Sequence, residues 1–353
     1  QTILLKMKKA FFGLLALTLA GMMTVSCLKP SKTTITYTVY VPKSYTTFFL
    51  NTGVEGVAEA SVTAFNPNTK EVKENFIKQE EIGGIAEDIY YFNKYIYLTI
   101  PEEKAICRYS ADDGSLREKR VFDDVKPLWI ISDGKDLYVS CTGGKLLKLD
   151  ATTFADKAEA LVLDEDVDLG SMAGYSNTLY VAGKDKIYLV NISNFTKGPE
   201  QTCPEDPQMM RYISDGIYMI AGKDEPKLHR LTGSDKVIAP AKAFASYSDY
   251  VFFGNGSKMG VYVPSSDNTQ TDVKFSNMPD ITGKDVTLVA TDPVTGYFYV
   301  AAVDNQYAGT IYRMDTKLAY DATVDAHGYN PRKVAFILDI DGYYDAVQVT
   351  EEY

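Results

Sequence analysis

Residue types that commonly perform catalysis are scarce in this sequence of 353 residues, which contains two His and four Cys. His229 lies in an alternating, strand-like run over 227–231, and His327 lies in a polar loop, so we interpret both as structural or surface residues. Nucleophilic catalysis needs a base within hydrogen-bonding reach, and zinc or haem sites need a larger ligand set. No P-loop and no GxSxG motif occurs. The sequence therefore predicts no catalytic residue, no metal and no cofactor.

A second group of residues could bind a ligand without reacting with it. Aromatic rings stack on flat molecules, and cationic side chains pair with anionic groups. The candidates share one property, since each lies between two strand-like runs and far in sequence from most of the others. They are Glu87, Lys126, Trp129, Met210, Arg211, Lys242, Phe244, Tyr343, Tyr344 and Asp345. They form one site only if a repeating fold gathers them; the alternative is that Trp129 and Met210 are core residues and the charges a solvated rim.

A repeat that could gather these residues runs through the chain. Each copy has a Gly or Asp turn, an aliphatic–aromatic strand, a second turn and a further strand that often ends in Asp. Copies follow one another at intervals of about 40 residues, enough for four short strands and their loops. The seven copies are centred on Phe49, Tyr97, Tyr138, Tyr180, Tyr218, Phe252 and Tyr299.

Seven four-stranded sheets predict an all-β, seven-bladed β-propeller over residues 34–353, because blades arranged in a ring bury one another's faces. The ring is expected to close by pairing of N- and C-terminal strands. Residues 345–349 resemble the innermost strand that the copy around Phe49 lacks, whereas the pattern gives no position for the strand over 35–41. The candidate ligand residues would then lie on the face where each outermost strand leads into the next innermost strand.

Four segments resemble the YncE-like propellers, specifically lipoproteins of the Bacteroidetes: residues 51–53, 62–69, 136–139 and 145–154. The resemblance covers about residues 34–353 and includes no catalytic signature. It implies an outer-membrane-associated binding protein. Some similar surface lipoproteins capture cobalamin for a partner transporter, so a TonB-dependent transporter is an expected partner.

The N-terminal segment is typical of a signal peptide over residues 1–26. Met7, Lys8 and Lys9 precede an apolar run over 10–23, which is shorter than the roughly 20 residues that a membrane-spanning helix needs. Ser26 then precedes Cys27, an arrangement similar to the cleavage site of bacterial lipoproteins. We expect Cys27 to be lipidated, residues 27–33 to form a linker, and residues 1–6 to be an over-extended start.

The charge and the remaining cysteines restrict function further. A net charge of −11 argues against a nucleic-acid partner and against direct binding to anionic lipid, so membrane attachment would depend on the lipid anchor. Cys107, Cys141 and Cys203 lie in or beside strand-like runs, which favours buried free thiols.

We therefore expect a non-enzymatic, lipid-anchored envelope protein that binds a small ligand or a partner protein at a propeller face, in nutrient capture. Periplasmic and surface orientations both remain open. One alternative is a calcium-dependent hydrolase of the propeller lactonase type, with Glu87, Asp88, Asp285 and Asp345 holding Ca²⁺. The other is a protein-interaction scaffold.

Overall fold

The computed structural model describes residues 34–213, 216–231 and 235–352, and nearly all of its regular structure is β-strand. The predicted signal peptide and Cys27 lie outside these residues. None of the helices described is long and apolar enough to cross a membrane. The helices are α1 (Gln79–Ile82) and a 3₁₀ helix (Pro264–Ser266).

The strands follow one another in chain order as β1 (Thr34–Pro42), β2 (Thr47–Asn51), β3 (Ser61–Phe65), β4 (Val72–Ile77), β5 (Asp88–Phe92), β6 (Tyr95–Ile100), β7 (Ala105–Ser110), β8 (Leu116–Val121), β9 (Pro127–Ser132), β10 (Asp136–Cys141), β11 (Lys145–Asp150), β12 (Leu161–Val162), β13 (Met172–Tyr175), β14 (Thr178–Ala182), β15 (Lys186–Asn191), β16 (Thr196–Thr202), β17 (Pro207–Ile213), β18 (Gly216–Ala221), β19 (Lys227–Leu231), β20 (Asp235–Pro240), β21 (Ala243–Tyr247), β22 (Tyr250–Asn255), β23 (Lys258–Val263), β24 (Asn268–Gln270), β25 (Asp285–Thr291), β26 (Phe298–Val303), β27 (Ala308–Met314), β28 (Tyr320–Tyr329), β29 (Pro331–Phe336) and β30 (Tyr344–Glu352).

These strands form seven four-stranded antiparallel sheets within the described residues, which confirms the predicted seven-bladed propeller. Blade 1 is β29-β2-β3-β4 from the channel outward, and blades 2 to 7 are the consecutive groups β5–β8, β9–β12, β13–β16, β17–β20, β21–β24 and β25–β28. The second strands of blades 1, 3 and 7 are buried along their whole length, because neighbouring blades cover both faces. Outermost strands are short, as in β12, or rich in charge, as in β8, which protects the exposed edges from pairing with other chains.

Blade 1 closes the ring as predicted, with an N-terminal and a C-terminal strand in one sheet. β29 pairs with β2 in a register that places Val334 opposite Phe49 and Phe336 opposite Thr47. The prediction that residues 345–349 supply the innermost strand is wrong: they belong to β30, which pairs with β1. The pattern misled because one side of an innermost strand faces the channel, so the true strand carries Arg332 and Lys333 where apolar residues were expected.

The chain divides into two units, one over residues 39–347 and one comprising the terminal segments. In the second unit, Tyr37 Oη donates a hydrogen bond to Glu351 Oε1 (2.9 Å), and Gln348 Nε2 donates to Thr38 Oγ1 (2.8 Å).

The hydrophobic core is a series of clusters between adjacent blades. Phe49 of blade 1 packs edge-on against Tyr299 of blade 7, with ring centroids 5.5 Å apart, and both are fully buried. Cys107, Cys141 and Cys203 are buried free thiols, as expected. Burial raises the pKa of Cys141 and of Cys203 to about 12.

The recurrent Asp at the end of the third strand has a local role. Asp150 Oδ1 accepts hydrogen bonds from the backbone N–H groups of Thr152 and Thr153, and Asp315 Oδ1 accepts from Lys317 and Ala319. These side chains stabilise the turn that leads to the outermost strand. The repeat seen in the sequence is therefore partly the recurrence of Asp residues that stabilise equivalent turns.

Candidate functional site

The innermost strands of the blades surround a central channel with a cavity of about 540 Å³. Most of its wall is apolar; that part includes Ile89, Ile130, Met172, Met209, Met210, Leu288, Ala290, Val334, Phe336 and Leu338. The volume falls within the range of roughly 300–1,000 Å³ that is typical of small-molecule sites. The channel therefore has the size and wall chemistry of a ligand site.

Four charged residues line this cavity, namely Asp88, Arg211, Arg332 and Lys333. Glu87 precedes Asp88 and interacts electrostatically with Lys333 and Arg332, and we call these five residues the charged cluster. Asp88 begins β5, Arg211 lies in β17, and Arg332 and Lys333 lie in β29. Three blades thus supply a cluster that no single stretch of sequence contains.

Lys333 lies at the centre of the charged cluster. Its Nζ is 3.7 Å from Asp88 Oδ1 and 2.9 Å from the centroid of the Trp129 ring. The Lys333 side chain is 14% exposed and the Asp88 side chain 10%. A cation held over an indole face and beside a carboxylate is stabilised by both, which offsets part of the cost of its burial.

Asp88 also joins two blades. Its Oδ2 accepts a hydrogen bond from the backbone N–H of Ile130 in β9 (3.1 Å). A similar link joins blades 4 and 5, where Ser171 Oγ accepts from the N–H of Met210 (2.9 Å). These contacts fix neighbouring innermost strands relative to each other and hold the channel wall in one geometry.

Burial dominates the electrostatics of the cluster. It raises the pKa of the Asp88 and Glu87 carboxyls, and the nearby Lys333 ammonium opposes that rise. Burial also lowers the pKa of Lys333 and of Arg211, and the Asp88 carboxylate opposes that fall. Burying any one of these charged groups alone would therefore cost free energy, and neighbouring groups of opposite charge offset part of that cost.

The two guanidinium groups differ from Lys333. Arg211 lies deep in the channel, among the protein atoms that lower its pKa, yet solvent in the channel reaches its side chain as it reaches Arg332, and both line the cavity. Neither forms a hydrogen bond or an ion pair with any other residue that the structure describes. They are consequently free donors that face the water of the channel.

Four of the predicted ligand residues come together here. Trp129, Met210 and Arg211 line the cavity, and Glu87 belongs to the charged cluster. Trp129 also packs against the core between blades 3 and 4, and Met210 is almost fully buried, so both contribute to packing as well as to the channel wall.

The predicted lysines lie elsewhere, in ion pairs. Lys126 Nζ is 2.9 Å from Glu102 Oε1, and Lys242 pairs with Asp285. These are partly exposed pairs outside the cavity lining.

The predicted aromatic partners are core residues. Phe244 is fully buried between blades 5 and 6, because its neighbours Ala245 and Ser246 take the positions on the channel. Tyr343 Oη donates to Asp112 Oδ1 (2.7 Å), and Tyr344 Oη donates to the Ile337 carbonyl (2.7 Å). These three rings are unavailable for stacking on a ligand, which corrects that interpretation.

The four carboxylates proposed to hold Ca²⁺ do not converge. Asp285 pairs with Lys242, Asp345 Oδ1 lies 2.8 Å from Lys43 Nζ, and Asp88 faces Lys333. Among the described residues there is no group of three or more His, Cys, Asp or Glu side chains able to hold a metal ion.

The two histidines are separate from the channel. His229 Nδ1 lies 2.8 Å from Asp235 Oδ1, and His327 Nδ1 lies 3.0 Å from Glu74 Oε2. Neither residue lines the cavity.

Sequence reasoning missed Arg332 and Lys333. A signal was present, since residues 331–336 follow the outermost strand of blade 7 at the place where the other blades begin their innermost strand. Counting strands from blade 7 forward would have identified them.

Neither the protein-family models nor the curated protein sequences compared with this chain gives a match. Solved structures do match in fold. A chain of a structure titled Mitotic Checkpoint Complex is 14% identical, with a TM-score of 0.57, over 76% of this chain and 88% of that one. The structure of U3-55K is 12% identical (TM-score 0.55; 71% and 84% covered), and the RRP9 WD40 repeats are 11% identical (TM-score 0.54; 76% and 94% covered). At these identities the likeness shows a WD40-like propeller fold and leaves the YncE-like resemblance a prediction.

Proposed function

We propose that this propeller is a non-catalytic binding protein of the cell envelope that holds a small ligand in its central channel. The observation that carries the proposal is the cavity of about 540 Å³ in which Trp129 and two unpaired guanidinium groups face solvent. A mainly apolar wall with a few polar groups is typical of small-molecule sites.

The rigidity of the channel supports binding. Backbone hydrogen bonds to Asp88 and Ser171 tie adjacent innermost strands together, and Thr287 Oγ1 donates to the Pro331 carbonyl (2.7 Å). A site already held in its bound geometry loses little conformational entropy when the ligand arrives.

The envelope location is supported by the sequence over residues 7–27. In this proposal Cys27 carries the lipid anchor, and an outer-membrane protein such as a TonB-dependent transporter receives the ligand, which would be a nutrient of the cobalamin kind or another. The C27S variant should move from the membrane fraction to the soluble fraction of the cell. Retention in the membrane would refute anchoring at this residue.

Trp129 provides the test of ligand binding, because it is the only Trp of the sequence and lines the cavity. Corrinoids, haem and glycans would be titrated against the purified protein while indole emission and calorimetric heat are recorded. A bound ligand should give saturable changes in both signals. W129F should abolish the emission change and keep most of the heat, whereas K126Q, outside the cavity, should change neither.

A protein-interaction scaffold is the second candidate. One matched propeller comes from a structure described as a complex. Exposed apolar residues also occur on outermost strands of different blades, such as Val121 and Val237. A scaffold would capture an outer-membrane protein with no small-molecule heat, and V121E with V237E would weaken that capture.

A further inference from the structure

We infer that the channel ligand is a singly charged organic carboxylate with an apolar body, bound with its carboxylate among the cationic side chains of the charged cluster. This inference rests on the proposed function and specifies the ligand class of the same site. Three observations carry it: the charge count of the cluster, the free guanidinium groups, and the apolar wall beside them.

The charge count leaves one positive charge. The cluster holds three cationic and two carboxylate side chains. Lys333 lies beside Asp88 and over the Trp129 ring, so these two charges compensate each other. Glu87 offsets one guanidinium, and the remaining positive charge matches one anionic group on the ligand.

The guanidinium groups have the donors that such a ligand needs. Arg presents a planar fork of N–H groups that fits a carboxylate in bidentate fashion. Elsewhere in this protein an Arg side chain binds both oxygens of one carboxylate, as when Arg120 Nη2 contacts the two oxygens of Asp156 (2.8 and 2.9 Å). Arg211 and Arg332 lack such a partner among the residues described, although the overall charge of the protein is −11.

The apolar wall next to the charged cluster matches the apolar body of the inferred ligand. Val334, Phe336 and Leu338 follow Lys333 along the chain, line the cavity and keep part of their surface exposed, and Ile131 does the same two residues beyond Trp129. The cavity of about 540 Å³ is large enough for a phenyl-sized body.

Matched probes test the charge. The purified protein would be titrated with 3-phenylpropanoate, its neutral analogue 3-phenylpropanamide, the cationic 3-phenylpropylammonium, and 2-phenylethyl phosphate, with Trp129 emission as the readout. We expect the carboxylate to bind at least about tenfold more tightly than the amide, a difference of about 1.4 kcal/mol. R211Q with R332Q should remove that difference, and K126Q should keep it.

Quenching of Trp129 in the ligand-free protein gives an independent measurement of the local charge. Iodide should quench the wild-type indole more strongly than caesium does, opposite to the order that the overall negative charge favours, and R211Q with R332Q should reverse the order. This result from the wild type stands even if the double variant fails to fold.

Several outcomes would overturn the inference. Equal binding of amide and carboxylate would remove the role of the guanidinium groups while leaving the proposed small-ligand function intact. Tenfold preference for the phosphate would contradict the single-charge count. Failure of all four probes together with stronger quenching by caesium would exclude an anion site, and the corrinoid, haem and glycan titrations would then decide the proposed function separately.

Discussion

A disulfide across the closing blade should stabilise this protein more than one within a single hairpin. The pair T47C and F336C joins directly opposite positions of β2 and β29, which antiparallel pairing places within disulfide range. The pair T178C and N191C joins opposite positions of β14 and β15 and serves as the matched control. Both pairs would be made in a C27S background.

The expected magnitudes follow from the loop that each disulfide closes. The closing-blade pair restrains about 290 residues, for which the chain-entropy relation gives roughly 5.5–6 kcal/mol of stabilisation. The control pair encloses about 13 residues, which corresponds to roughly 3 kcal/mol. The difference expected between the two is therefore about 2.5–3 kcal/mol.

The assay compares each variant with itself, oxidised and reduced, by urea unfolding followed through Trp129 emission. This comparison cancels the cost of replacing Phe336, because both states carry the same side chains. Cys107, Cys141 and Cys203 are buried, and burial raises the pKa of their thiols, so they react slowly with mild oxidants. Failure of the closing-blade disulfide to form would contradict the register of β2 with β29. Formation with no greater stabilisation than the control would contradict the dependence of the stabilisation on loop length.

Three further predictions concern packing, pH and backbone. F49A should lower the free energy of unfolding by about 3–5 kcal/mol in urea, because it empties a fully buried position between blades 1 and 7. Burial raises the pKa of Glu87, so its stabilising contribution is present below pH 4.5 and lost as the pH rises; E87Q should therefore gain stability relative to the wild type between pH 4.5 and neutrality in urea titrations, and a constant difference would contradict this. G144A should be far more destabilising in thermal unfolding than G143A: both glycines have positive φ, but only at Gly144 would a Cβ overlap the Asp164 carbonyl.

The sequence was sufficient to predict the architecture because the repeat has strong local signals. Aliphatic–aromatic second strands such as β10 are buried on both faces, and Asp150 and its equivalents form turns that recur with the blades. Ring closure followed from the need to bury the faces of the first and last blades. The C-terminal strand that closes the ring was harder to identify. Its channel-facing residues break the alternation of polar and apolar residues that marks an ordinary strand.

The site was predictable only in part. Trp129 and Arg211 were identified because the segments predicted to connect one blade to the next overlap the innermost strands β9 and β17. The sequence gives Phe244 and Tyr344 the same kind of position, between two strand-like runs. Their rings nevertheless point into the core. A shift of one residue along a strand exchanges channel for core, and composition does not reveal that shift. The partner of Lys333 is equally hidden, since Asp88 lies some 245 residues away and meets it only after the ring closes.

Closure of blade 1 by its last-made strand also bears on synthesis. β2 is synthesised early, but its partner β29 begins only at residue 331. One edge of β2 therefore lacks its hydrogen-bonding partner while the six blades between them are translated. Nascent or truncated chains that stop before β29 will therefore display an unpaired apolar strand, which is a template for aggregation. Six residues over 331–336 therefore decide whether β2 and the blades made after it stay in solution.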